Sequence, residues 1–472
     1  MADSKAYKLI KADLHLKGGE KDEKLDIKGV ISEFSWFESI DSPFVRLDMA
    51  ILDSTDLDAR LYGTEKLDIE FETFASQGDS KKSAKEGKIK ATLQMYKIGS
   101  VIKSERAKMY ILHFGAPEMY KNEANRAFGL FGAKNGKNDV VERMLKDHLG
   151  VSKKDIEIEP YTKMNVISPN WRPVDCISYL TDKVSRTSPG KGTKGKGGGK
   201  KQKGNMGKRQ SGFVFYQNKN GYHFKSIDLL CEGGVIAEYK YGQKNVNDDD
   251  PVLNMFKIEN IKYPDRANQL EKLRQGVYQT ATFGVVMAAP TSSSLPVASA
   301  TTGDSKPEGT VTGPVVNRLR GIFDKASTLE KGFPYDDKVT EEFETEFPTR
   351  TKLKILPKLT QQAPNSPDGG AEEESASILV AASYANQRWF LLNTHTLTIT
   401  VPGNTAVYAG GVIKVVIPES IQKNKNKLGK DRQFSGKYLV KGVKHVYNQN
   451  GMTTELYLCR DSLPVSPQQK GK

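Results

Sequence analysis

The chain has 472 residues, with 71 Lys and Arg against 57 Asp and Glu, a net charge of +14 and three cysteines. That length suits about two to four domains and a core that needs no staple. Cys176, Cys231 and Cys459 form no CxxC pair, which excludes a disulfide framework and a zinc site and reads as three buried hydrophobes in a reducing cytoplasm. Met1-Ala-Asp-Ser-Lys5 lacks the apolar core of a signal peptide, and no apolar run approaches the roughly 18 residues of a membrane span, so the expectation is a soluble chain without membrane insertion.

The first 116 residues read as strands. Ile10, Ala12, Leu14 and Leu16 alternate with Lys11, Asp13 and His15; Val45, Leu47, Met49 and Ile51 alternate with Arg46 and Asp48. Leu67, Ile69 and Phe71, then Ile89, Ala91, Leu93 and Met95, then Met109–Phe114 continue the period of two. Such alternation marks strands with one buried face, as in a small antiparallel barrel or sandwich.

Residues 117–187 change period. Val141, Met144, Leu145 and Leu149 share a helical face that Gly150 ends, and Val174, Ile177, Leu180 and Val184 share another behind Pro173, with a short strand Ile156–Ile158 between. The segment reads as an α/β insertion, continued in 241–288. Residues 188–212 are Gly- and Lys-rich and cannot bury a core. A hairpin opens 213–240, with Asn220-Gly221 supplying the tight turn. Residues 289–375, rich in Ser, Thr and Pro and then acidic, read as linker or extended loops. Regular structure returns in 376–462: a helix Ser377–Leu392, alternating His395–Val401, apolar Val412–Ile417, and a hairpin over Asn450-Gly451. Residues 463–472 read as a flexible tail. The fold class is therefore α+β, mainly β, with antiparallel β regions at both ends.

Nine basic residues fall between 186 and 209 with no acidic one: Arg186, Lys191, Lys194, Lys196, Lys200, Lys201, Lys203, Lys208 and Arg209. Without them the net charge drops from +14 to +5, so the excess sits in one loop. The loop is a candidate contact for an anionic polymer such as DNA, a segment ordered by a protein partner, or a solubilising insertion. Gly190–Gly195 matches GxGxxG, and Gly190–Lys196 the body of a P-loop, but Gly197 stands where a P-loop needs Ser or Thr, and neither flank joins a strand to a helix.

His15, His113, His148, His223, His395 and His445 are scattered and form no HExxH. Asn245–Asp250 lacks the glycine and glutamate of a calcium loop. Asp336, Asp337, Glu341, Glu342, Glu344 and Glu346 offer carboxylates for glycoside cleavage only in a stretch that reads as weakly structured. Trp36, Trp171, Trp389, Phe213, Phe215 and Tyr222 sit on strand and helix patterns that favour core or interface over base stacking. No catalytic residue, metal or cofactor is assigned.

The order of motifs resembles the baseplate hub subunit of contractile-tailed bacteriophages. A helix from Trp171-Arg-Pro-Val through Tyr179-Leu180 precedes the hairpin Ser211–Tyr216 and Gly221–Asp228; later Arg388-Trp389, Leu397–Gly403, Gly410–Pro418 and Ser435–His445 follow in the hub's order. The resemblance spans 5–461 and is specific over 171–228 and 376–460. It implies two tail-tube-like antiparallel β-barrel or sandwich domains with an α/β insertion domain: 1–116 as the first, and 213–240 with 376–462 as the second. It implies a homotrimer forming a pseudo-sixfold ring between the hexameric tail tube and the trimeric central spike, with other baseplate or tape-measure proteins as partners and DNA passing through. The place would be the virion tail baseplate, assembled in the host cytoplasm. Leu397, Ile399, Val401, Val412, Val415 and Ile417 are the interface candidates. The alternatives are a nucleic-acid-binding protein acting through 186–209 and a tail-associated cell-wall hydrolase.

Overall fold

The computed structural model describes residues 7–16, 23–73, 87–103, 107–132, 140–162, 164–187, 210–242, 255–264, 268–286, 297–298, 315–346, 350–356, 371–419, 430–448 and 450–464. Alternating sequence builds seven N-terminal strands: β1 (Tyr7–Leu16), β2 (Glu23–Asp26), β3 (Ile31–Ser39), β4 (Arg46–Asp53), β5 (Lys66–Thr73), β6 (Ile89–Lys103) and β7 (Lys108–Gly115). They pair in the order β3-β4-β7-β6-β5-β1-β2, every pair antiparallel. Leu14, Leu47, Met49, Leu67, Phe71 and Leu112 are buried on one face, each contributing roughly 1.5–3 kcal/mol by leaving water. The sheet rolls, because Phe34 of β3 meets Phe71 of β5 edge-on at 5.2 Å although three strands lie between them.

The next segment packs on this core. It comprises α1 (Glu118–Ala124), β8 (Ala127–Phe131), α2 (Val140–Arg143), β9 (Ile156–Ile158), β10 (Val166–Trp171) and α3 (Pro173–Leu180). Pro173 begins α3, where its missing N–H is not needed, and Val174, Cys176, Ile177 and Leu180 are buried. The hairpin β11 (Phe213–Asn218) and β12 (Gly221–Ser226) pairs with β9 in a sheet of its own. Gly221 has φ +122°, and a Cβ there would lie 2.4 Å from the carbonyl oxygen of Asp155. Short α4 (Ile227–Cys231) follows.

The strand partners differ from expectation at two places. The hairpin, expected with the C-terminal strands, pairs with Ile156–Ile158. β13 (Val235–Tyr241) pairs with the C-terminal strands, as 213–240 were expected to do; β14 (Lys257–Ile258), which pairs with β13, and β15 (Asn260–Lys262), which pairs with a C-terminal strand, join the same sheet, although 241–288 read as insertion. Alternation identifies a buried face and is silent about which sheet supplies it.

Part of the expected linker 289–375 also folds, onto a helix and a strand that end the 241–288 segment before it. α5 (Gln269–Gln275) precedes β16 (Gln279–Val286), which pairs with β17 (Val297–Ala298), β18 (Val315–Arg318) and β19 (Arg350–Leu356); α6 (Leu319–Lys325) and α7 (Asp337–Glu346) lie between β18 and β19. Leu319, Ile322, Phe323 and Phe333 pack with Tyr384 and Leu391 of α8 (Ala371–Leu392). Proline and acidic composition masked these short apolar sets in the sequence.

The C-terminal strands are β20 (His395–Pro402), β21 (Val412–Val416), β22 (Gly436–Asn448) and β23 (Gly451–Arg460). Pairings run β13-β21-β22-β23-β20-β15, and β14, one residue before β15, pairs back onto β13. That closed circuit surrounds Tyr239, Ile399, Val415, Tyr438, Val443 and Leu456. β22 carries a bulge at Lys441: its first half pairs with β21 and its second half, Gly442–Tyr447, lies antiparallel to Phe34–Ser39 of β3. Among the described residues, the two β regions thus share one fourteen-stranded sheet.

Candidate assembly site

Cross-strand partners define an outer row running from one β region to the other. Asn260 lies opposite Thr400, Thr400 opposite Glu455, Glu455 opposite Lys444, Lys444 opposite Phe37 and Phe37 opposite Arg46. The row crosses β15, β20, β23, β22, β3 and β4. Direct partners in antiparallel strands share a face, so this face is a mostly polar wall backed by the two cores. Glu455 holds Lys262 at 3.4 Å and accepts from Tyr457 at 3.0 Å.

Three buried polar junctions tie the surrounding elements together. In the first, Glu38 of β3 is fully buried and accepts N–H bonds from Lys219 at 2.8 Å and Ala409 at 3.2 Å. Burial pushes its carboxyl up to about 7 against the pull of Lys219. Lys219 Nζ donates to the carbonyls of Thr405 and Ala406 at 2.6 and 3.1 Å, and Thr73 Oγ1 meets Thr405 Oγ1 at 3.0 Å. His445 of β22, bonded to Thr454 Oγ1 at 2.9 Å, is held down to about 3 by burial, with Lys219 adding to the effect. The turn of the β11–β12 hairpin and the 403–411 loop are thereby locked between the two β regions.

In the second junction, Arg388 of α8 bridges two carboxylates, all three side chains fully buried. Its Nε donates to Asp228 at 3.1 Å and its Nη2 lies 2.7 Å from Asp461. Tyr384 OH and the Ser327 N–H also donate to Asp228, at 3.1 and 2.7 Å, and the Leu329 N–H to Asp461 at 3.1 Å. Burial raises the Asp228 carboxyl, and Arg388 opposes the shift.

In the third, Arg186 donates to Glu159 at 2.5 Å, to Glu232 at 2.9 Å and to Gln210 Oε1 at 2.8 Å. Its backbone N–H bonds the Gln210 carbonyl at 2.8 Å, which draws together the chain on either side of the basic loop.

These positions correct the expected sites. Arg186, counted with the anion-contact set, is 7 % exposed and engaged by two carboxylates, so it is structural. Lys191, Lys194, Lys196, Lys200, Lys201, Lys203, Lys208 and Arg209 lie outside the described residues. The interface candidates Leu397, Ile399, Val401, Val412, Val415 and Ile417 are all under 5 % exposed inside this chain's own core. Leu67–Phe71 and Leu397–Val401 are flanked on both sides, by β1 and β6 and by β23 and β15. Glu344, expected on an irregular segment, lies on α7, and burial raises its carboxyl. Trp36 is core.

The junction residues escaped the sequence reading. Their only signal is a charge inside an apolar run: Asp228 within Ile227–Cys231, Arg388 within the apolar end of α8, Glu38 beside Trp36 and Phe37. Among the described residues no group of three or more His, Cys, Asp or Glu is placed to hold a metal ion, and no helix is long and apolar enough to cross a membrane.

No family model and no curated protein matches the sequence. Solved structures do. The tail protein from Neisseria meningitidis matches with a TM-score of 0.46 and 11 % identity, over 98 % of this chain and 99 % of that one. The 43 kDa tail protein of prophage MuSo2 from Shewanella oneidensis matches with a TM-score of 0.47 and 8 % identity, over 96 % and 99 %. Prophage tail protein gp18 from Listeria monocytogenes matches with a TM-score of 0.39 and 9 % identity, over 96 % and 95 %. Over nearly its whole length, then, the chain is similar to phage tail proteins.

Proposed function

We propose that the chain is a structural subunit of a phage tail baseplate hub, with no catalytic role. In this reading two tail-tube-like β domains sit side by side in each subunit, and three subunits close a pseudo-sixfold ring between tail tube and central spike. The observation that carries the reading is the polar row from Asn260 to Arg46, continuous across both β regions through the pairing of β22 with β3. Six strands in register present mostly polar groups on one side and apolar groups to the two cores. A wall of that kind suits a water-filled passage for DNA, because it offers mostly hydrated, mixed-charge side chains, with Phe37 the one apolar member of the row and its ring against Tyr457.

The junctions support the same role. A ring element under load has to transmit force between its β regions without shear, and Glu38, Lys219 and Thr405 tie both regions to one hairpin. Closed rotational symmetry would then join the outer edges of neighbouring subunits. Light scattering of the purified protein, alone and with the co-expressed spike, tests the assembly. A trimer in either condition is the expected result. A monomer in both, or a closed hexamer, would refute the ring. Peptidoglycan zymography should be blank.

A further inference from the structure

A cavity of about 260 Å³ opens where α3, β11, α4, α8 and the β16–β19 sheet meet. Phe213, Ile227, Ala382, Ala385 and Trp389 supply apolar walls. The polar side is cationic. Lys354 pairs with Asp182, and Lys183 shares the same carboxylate at 2.9 Å. Lys352 projects from the next position on its face of β19, and its Nζ donates to Asn386 Oδ1 at 2.6 Å, with the Phe390 ring at 4.9 Å. Two ammonium groups thus share the Asp182 carboxylate, and among the described residues Lys352 has no acidic partner. Burial, with Arg350 and Lys354 nearby, holds the Lys352 ammonium below the usual lysine range, as expected of a cation awaiting a counter-charge in a half-dry site.

We propose that this cavity seats a carboxylate-bearing residue of a partner polypeptide, with Lys352 binding the acid and the Phe213–Trp389 walls holding its apolar stem. The volume is below the roughly 300–1,000 Å³ of sites for drug-sized ligands, so it suits one anchoring residue and excludes a nucleotide. Asp182 already satisfies Lys183 and Lys354, which leaves Lys352 as the charge that selects the ligand. The cavity lies within one chain, so the inference stands whether or not the subunits form a ring.

Three probes test it by calorimetric titration at low salt: the peptide acetyl-Ser-Gly-Ser-Gly-Leu-Glu with a free carboxyl terminus, its amidated Leu-Gln counterpart, and succinate. The acidic peptide should bind with an affinity that falls with salt, and the neutral peptide should not bind. Lys352→Met should weaken the acidic peptide at least roughly tenfold, as expected for one charge-assisted hydrogen bond. Lys352→Arg should restore most of it, and Ala385→Leu, which fills the cavity, should abolish it. Thermal unfolding of each variant confirms that the fold is kept. Equal binding of both peptides, indifference to Lys352→Met in a folded variant, or no binding of the acidic peptide at millimolar concentration overturns the proposal. Succinate binding as tightly as the acidic peptide overturns the polypeptide occupant and assigns the site to small carboxylates.

Discussion

Replacing Arg388 with Met is expected to cost about 3–5 kcal/mol at pH 7.5, the usual penalty for breaking a buried ion pair from one side. Arg388, Asp228 and Asp461 are all fully buried, and the guanidinium is the only cation paired with the two acids among the described ion pairs. Met fills similar volume, so the loss is electrostatic. Without Arg388, Asp228 keeps donors from Tyr384 and Ser327, and Asp461 keeps donors from Leu329 and Ser462, but two like charges remain in the interior. The cheaper state takes up a proton. Holding a carboxyl of ordinary pKa near 3.9 protonated at pH 7 costs about 4 kcal/mol, at about 1.4 kcal/mol per pH unit. The folded pKa in the variant then lies above the unfolded one. Stability is therefore greatest below the unfolded pKa and is lost as pH rises toward the folded one. Urea unfolding of wild type and variant at pH 7.5 and 5.5 should show the deficit shrinking by roughly 2–3 kcal/mol at the lower pH. A triple change that adds Asp228→Asn and Asp461→Asn should recover most of the loss. A deficit under about 1 kcal/mol at pH 7.5, or one independent of pH, would falsify the assignment of this cluster as a charged junction.

The Glu38–His445 seam has opposing titrations. Glu38, raised to about 7, contributes stability present below pH 4.5 and lost as pH rises through 7, whereas His445, lowered to about 3, contributes stability present above pH 6.5 and lost as pH falls. The two nearly cancel between pH 5 and 7.5, so Glu38→Gln should leave a rise in stability over that range and His445→Asn a fall; parallel profiles in denaturant titrations would contradict both. Joining Thr187 to Gln210 by a short linker should change stability by less than about 2 kcal/mol, since loop closure depends weakly on length and the Arg186–Gln210 clamp is retained. Arg186→Leu, which leaves Glu159 buried and unpaired, should cost about 3–5 kcal/mol in the same assay. Gly221→Ala should destabilise by more than about 1 kcal/mol in thermal unfolding, because its φ of +122° and the Asp155 carbonyl 2.4 Å from a Cβ both oppose a side chain.

The sequence exposes faces better than neighbours. Period-two alternation in Leu67–Phe71 and Leu397–Val401 correctly marks buried sides, because burial is encoded residue by residue. It does not say which strands flank them, because flanking depends on partners far away in the chain, as Thr400 lies opposite Asn260. The six interface candidates fail for the same reason: Ile399 and Val415 are apolar whether a second chain or their own barrel covers them. Elements with their own punctuation survive, such as α3 behind Pro173 and the hairpin turn at Gly221. The 315–356 region was hidden by its composition, since prolines and acids outnumber the few anchors, Leu319, Ile322, Phe323 and Phe333, that hold it. Arg186 shows the limit of reading charge as a run: it heads a basic stretch in sequence and ends in a closed box of Glu159, Glu232 and Gln210 in space.

The union of β22 with β3 has a consequence for synthesis. Ser39 and Lys441 are bonded to each other across 402 positions. At roughly 5–20 residues per second, the β3 edge emerges from the ribosome and waits about 20–80 seconds before its partner exists. During that interval Phe34–Ser39 presents bare amides and carbonyls beside a nearly complete apolar core, the condition under which strands recruit the wrong neighbour. A truncated chain ending near residue 116 keeps that edge open permanently. Such fragments should self-associate, and the full chain should depend on dilution or on a holding chaperone until its last hairpin arrives.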